Sequence, residues 1–253
     1  MTHPTNRVHR RLLFFGPFCA VLAAVLAWGL VDLPTFGLRH SDYALYFLQH
    51  AAGQRHVTNV VTAIVFDYRG WDTLGEELIL VSCVVGTALL LRSTREDEHR
   101  TAEDAVTSDL MTWLRPVAIS VVLLLGLWLV SYGYLTPGGG FQGGVVAAGA
   151  ALLTWISGSY RHYQVLTPES LVDAAEGAGA FAYLAIGFAG LATGGTYLYN
   201  LVPLGTTGDL ASGGTIALLN AATGLAVAAG LVLIFHEFLE EYTATVPDLA
   251  LEV

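Results

Sequence analysis

Five charged residues crowd a short stretch of an otherwise apolar chain: Asp67, Arg69, Asp72, Glu76 and Glu77. They stand between the apolar segment Val57–Phe66 and an apolar run that ends near Leu91. Ionisable residues at the mouth of a membrane helix are costly and tend to mark ion paths. A carboxylate there offers a hard oxygen ligand to a cation and can exchange a proton. A structural role competes on equal terms. Thr73 and Glu76 have capping-box spacing, and acidic groups in a first turn favour the helix dipole. Glu76 and Glu77 point to different helical faces, so a cap can occupy one and leave the other free.

The remaining chemical groups suggest less. His236-Glu237 resembles the start of a zinc protease motif, but Glu240 stands where the second histidine belongs. Both read as a solvated end of a membrane helix. No histidine pair suits haem, no serine has a plausible triad, and no phosphate loop is present. Nothing in the sequence argues for a catalytic centre, a bound metal or a cofactor. Cys19 and Cys83 lie in different apolar runs, make no redox or metal pattern, and read as packed core residues.

These groups must be held by membrane helices. Of 253 residues, 54% are hydrophobic and 13% charged, and several apolar runs approach the ~20 residues that cross a bilayer. The expected fold is an all-α, polytopic membrane bundle of about six transmembrane helices: 12–31, 73–91, 114–135, 137–158, 176–196 and 213–238. Pro17 falls inside the first. That first run follows Arg7, Arg10 and Arg11 but is too long for a typical signal sequence, so an uncleaved helix is expected. Residues 32–56 are polar enough to lie outside the bilayer. Val57–Phe66 is too short to span and reads as interfacial or re-entrant. The charged linker 93–109 is the expected boundary between a two-helix unit, 1–108, and a four-helix unit, 109–253. Arginines cluster in the N-terminal arm, in that linker and at Arg161, which places both termini on the cytoplasmic side of the cell membrane. The net charge of −10 argues against nucleic acid as a partner.

One stretch has a composition of its own: Thr136, Pro137, Gly138, Gly139, Gly140, Phe141, Gln142, Gly143, Gly144. Pro137 suits the first turn of a helix and Thr136 its N-cap. Gly139, Gly143 and Ala147 form one helical stripe, and Gly140, Gly144 and Ala148 the next. Small residues at this spacing let helix backbones approach closely in lipid. Gly190 and Gly194 form a second such stripe. A dinucleotide fingerprint, which the glycines formally match, would need a preceding strand, and an apolar helix stands there instead. A glycine-rich turn without further role is the competing reading.

Two of these stretches resemble one family. Asn59–Glu76 is similar to an element near the C-terminus of the large A-type component of Mrp-type multisubunit sodium/proton antiporters. It is similar as well to the small E-type component of membrane-bound hydrogenases. Thr136–Gly144, with the four helices around it, resembles the B-type (MnhB-like) component of the same antiporters. The family's charged positions fall on Asp67, Arg69, Asp72 and Glu76; Trp71 stands where the family often has Phe. The joining of the two pieces in this order departs from the usual family pattern. The resemblance implies a membrane subunit of a complex related to the membrane arm of respiratory complex I. Its partners would be large antiporter-like subunits and small membrane subunits, with sodium ions and protons as the transported species. Asp67, Arg69, Asp72, Glu76 and Glu77 are then the candidate ion-path residues. A redox-driven hydrogenase complex uses the same membrane module and is the alternative.

Overall fold

The computed structural model describes residues 4–31, 33, 42–95, 108–158 and 160–245. Its packing divides at Leu45/Tyr46 into two compact units. In the first, α1 (Pro4–Val31) carries Pro17 in its interior and leaves Phe18, Val25 and Trp28 exposed. Such a surface is stable only against lipid or another chain. Helix α2 (Asp42–Arg55) crosses the division. Asp42 in its first turn and Arg55 in its last complement the helix dipole. The region 32–56, which the sequence presents as polar loop, therefore contains a helix.

The second unit holds α3 (Val60–Ala63), which continues into one wider turn at Ile64–Tyr68. Then follow α4 (Gly70–Arg95), α5 (Asp109–Ser131), α6 (Gly140–Ile156), α7 (Tyr160–Leu166), α8 (Glu169–Gly194) and α9 (Thr215–Thr245). Among the described residues, four helices have segments long and apolar enough to cross a membrane, 70–91, 109–131, 169–194 and 215–239, and two shorter apolar helices cover 15–31 and 140–156. The chain is a multi-pass membrane protein with an all-helical bundle.

Helix α9 is the centre of this unit, and α4, α5, α6 and α8 pack on it. Its buried face is Ile216, Leu219, Ala222, Ala226, Val227, Ala229, Val232 and Leu233. Close approach comes from glycine. A methyl group added at Gly140 would meet the Asn220 carbonyl at 2.5 Å, and one at Gly144 would meet the Gly224 carbonyl at 2.8 Å. Gly143 faces the other way, where an added methyl would stand 2.7 Å from the α5 backbone at Val130. The two expected stripes thus serve two neighbours, α5 and α9. Gly190 and Gly194 also permit close approach, but to Tyr199 in the chain's own loop rather than to another helix.

The start of α6 differs from the sequence reading. The helix begins at Gly140, and Thr136 and Pro137 lie outside it. Thr136 donates its hydroxyl to the Tyr132 carbonyl instead of capping α6. Gly138 and Gly139 take positive φ angles that end any earlier helical turn. The cap comes from α9: Asn220 Oδ1 accepts the Gly140 N–H at 2.7 Å, and its Nδ2 donates to the Val130 carbonyl at 2.5 Å. One buried side chain thereby pins α5, α6 and α9. Asn220→Leu leaves both backbone groups unpaired in a dry interior, at about 1–3 kcal/mol each. We expect a clear fall in the thermal stability of the purified complex, with a smaller fall for Asn220→Asp, which keeps the acceptor.

The ends of α9 and α7 also depart from expectation. His236 and Glu237 are buried, not solvated. The short helix α7 and the turn after it fold over them. His236 Nε2 donates to the Thr167 carbonyl at 2.9 Å, and its ring packs 4.8 Å from Tyr163. Cys83, expected in the core, is exposed, and Cys19 is half-buried.

Candidate functional site

The segment 57–69 is folded onto the glycine-rich stretch rather than lying free at an interface. Asn59 starts this. Its Oδ1 accepts from the Val61 and Thr62 N–H groups and caps α3. Its Nδ2 donates to the carbonyls of Gly133 at 2.6 Å and Thr136 at 3.0 Å. Thr62 adds a hydroxyl bond to the Gly133 carbonyl at 2.7 Å. Val57, Ala63 and Phe66 are buried against Tyr134, Leu198 and Ile216. The two distinctive stretches of the sequence therefore meet, and their contact is made of buried backbone hydrogen bonds.

The wider turn closes with the Arg69 N–H on the Ile64 carbonyl, at 2.8 Å. It re-aims the chain so that Asp67 points back to α2. Arg55 Nε donates to Asp67 Oδ1 at 2.5 Å, and the Arg55 guanidinium lies 5.0 Å from the Tyr68 ring centre. Burial pushes the Asp67 carboxyl above its usual range, and the charge of Arg55 opposes that shift. Asp67 and Arg55 line a cavity of about 670 Å3 with the loop Thr196–Leu204. Asn200 stiffens that loop. Its Oδ1 accepts from Thr215 N at 2.8 Å and Oγ1 at 2.9 Å.

The other charged residues separate. Arg69 pairs with Asp72 at the surface, where such a pair contributes at most about 1 kcal/mol. Helix α4 begins at Gly70, so Thr73 lies inside it and is no N-cap. Its buried hydroxyl donates to the Val65 carbonyl at 2.5 Å. The capping-box reading of Thr73 and Glu76 is thereby overturned: the wider turn supplies a carbonyl partner first and starts the helix earlier. Glu76 is exposed in the isolated chain. Glu77, on another face, is only 2% exposed, and both its carboxylate oxygens lack a hydrogen-bond partner. Within the glycine stretch, Phe141 is half-buried and Gln142 exposed, its amide folded over Gly139.

Some residues at this site escape a reading of the sequence. Arg55 falls in a stretch that reads as loop. Glu176 reads as a helix start, yet α8 begins at Glu169 and carries Glu176 two turns inward. Thr223 on α9 is fully buried. A signal exists for Glu176: Pro168 followed by Glu169 is a helix-start pattern.

A bundle that buries carboxylates at the mouth and inside its membrane helices defines a class, the ion-transport subunits of membrane complexes. Residues 9–108 match the family of the E component of MBH, and residues 110–233 match the domain related to the MnhB subunit of Na+/H+ antiporter. The chain belongs to this family. An uncharacterized protein of Methanocaldococcus jannaschii is 32% identical over 75% of this chain and 82% of its own length. A probable K(+)/H(+) antiporter component of the fused A/B type, from Rhizobium meliloti, is 35% identical over 47% of this chain, which spans 14% of that protein. Among solved structures, a chain of the archaeal membrane-bound sulfane sulfur reductase superposes with a TM-score of 0.64 at 30% identity, covering 91% of this chain and 98% of that one. A chain of the Mrp complex from a Dietzia species superposes with a TM-score of 0.67 at 23% identity, covering 94% of this chain and 27% of that one, a likeness of fold.

Proposed function

We infer that the chain is a membrane subunit of a multisubunit cation/proton antiporter and lines part of its ion path. The observation that carries this is Asp67. A largely buried carboxylate, balanced by Arg55, opens on a cavity at the outer end of α4. Such a group offers a passing cation an oxygen ligand whose charge is held ready by its partner. Asp72, Arg69, Glu76 and Glu77 continue the charged series from that mouth into α4. The relatives named for Na+/H+ and K+/H+ antiport support the reading. The partners are large antiporter-like subunits and small membrane subunits, which would cover the apolar faces left exposed. Residues 1–108 and 109–253 serve as the two inherited units, both termini cytoplasmic.

A second reading is a subunit of a redox-driven complex. The match to nearly the whole of a chain of the sulfur reductase favours it. Purification through a tag on this chain separates the two. Co-purifying antiporter-like subunits and collapse of a proton gradient by added sodium or potassium support the first. Co-purifying iron–sulfur subunits, with no cation-driven collapse, assign the second.

Orientation has its own check. Arginine-rich segments stay cytoplasmic. Reporter fusions after Thr94 and after Thr207 should report opposite sides, and the same side for both would refute the arrangement.

A further inference from the structure

We propose that Glu77 and Glu176, with the Thr223 hydroxyl, form a site inside the membrane that holds one monovalent cation or one proton at a time. The proposal rests on the ion-path reading and names the place where exchange occurs.

Register brings the two carboxylates together. The Tyr183 hydroxyl donates to the Gly70 carbonyl at 2.9 Å, which ties α8 to the start of α4. Glu77 lies seven residues after Gly70, and Glu176 seven residues before Tyr183. Seven residues are about two turns, or roughly 10 Å, so both side chains return to the face they started on. On antiparallel helices that carries Glu176 to the level of Glu77. The charge of Glu176 bears on Glu77 accordingly, and so does that of Glu76.

The site has unused bonding capacity. Glu77 is 2% exposed and neither oxygen is hydrogen-bonded. Glu176 Oε1 is buried without a partner. Thr223, from a third helix, is 0% exposed, and its hydroxyl faces Glu77 without meeting hydrogen-bond geometry to any group. The groups bearing on Glu77 are Thr223, Glu76 and Glu176, with no arginine or histidine among them. Two bare carboxylates in a dry interior are prohibitively costly. A counter-charge must therefore come from outside the chain. One proton shared by the pair leaves a net charge of −1. Its departure to water as one monovalent cation enters leaves that charge unchanged, so the exchange costs no net burial of charge. Carboxylate and hydroxyl oxygens are the hard ligands such a cation takes.

The test labels the purified complex with N,N′-dicyclohexylcarbodiimide, which modifies protonated carboxyls in apolar surroundings, and maps adducts by mass spectrometry. The expected result is an adduct on Glu77 or Glu176. It should be lost in excess sodium or potassium chloride and persist in choline chloride. Thr223→Val should keep the adduct and lose most of the cation protection. No adduct at either residue, or one that no cation suppresses, overturns the proposal. If vesicles from the same preparation still show cation-driven proton exchange, the ion-path reading stands and the exchange site lies elsewhere. If exchange is also absent and redox subunits co-purify, the antiporter reading falls with it.

Discussion

Glu76→Gln leaves the complex assembled and abolishes cation-dependent proton exchange in membrane vesicles. The expectation starts from where Glu76 stands. It is the seventh residue of α4, about 9 Å into the helix, on a face that the rest of the chain leaves open. A carboxylate turned to lipid at that depth costs on the order of 2.5–3.5 kcal/mol on insertion scales. Such a charge is tolerated where it meets water or a neighbouring subunit's polar group. The structural alternative has lost its footing, since Thr73 is spent on the Val65 carbonyl and cannot close a capping box with Glu76. What remains useful in Glu76 is its charge and its proton. Gln matches the shape and removes both. A packing role would tolerate Gln and leave exchange intact, so normal exchange by an assembled Glu76→Gln complex sinks the path assignment. Glu76→Asp keeps the charge on a shorter arm and should retain partial exchange. Asp72→Asn, whose group pairs with Arg69 at the surface, should cost far less.

Parts of this architecture are open to reading from the residues alone. Apolar runs announce the spanning helices because a bilayer imposes a length and excludes charge. The stripes at Gly143 and Gly144 announce close packing because no other residue leaves room for it. What stays hidden depends on partners far along the chain. Asn59 looks like an ordinary polar residue until its amide meets the carbonyls of Gly133 and Thr136. Asn220 sits in an apolar run with nothing to mark it as the cap of α6. Helix α2 is concealed by its mixed composition, since its burial comes mainly through Phe47 and Ala51. Glu176 passes for a solvated helix start because charge in an apolar run usually marks the end of the run. His236 misleads for the same reason. In each case a local rule is overridden by a contact that no window of sequence contains.

Gly144→Leu should dismantle the bundle, and Gly143→Leu nearly as completely, whereas Gly149→Leu should be tolerated. The contrast rests on what each new side chain meets. At Gly144 a Cβ alone would stand 2.8 Å from the Gly224 carbonyl and 2.9 Å from Val227 Cβ. At Gly143 it would stand 2.5 Å from Val130 Cγ2 and 2.7 Å from two backbone atoms of α5. Backbone cannot rotate aside as a side chain can, so α6 must move away from its neighbour. Overpacking in a core that can adjust costs about 1–3 kcal/mol, and a rigid helix contact should exceed that. Separation of α6 from α9 also pulls the Gly140 N–H off Asn220 and leaves both unpaired. At Gly149 nothing lies within 4 Å of the added carbon, so the same residue in the same helix is a matched control. Recovery of intact complex by tag purification from membranes is the measurement. The expected order of yield is wild type, Gly149→Leu, then little or none for Gly143→Leu and Gly144→Leu. Full recovery of Gly144→Leu with exchange lost would mean that α6 can move without cost. The glycine stretch would then belong to the ion path, with close packing no longer its reason for being there.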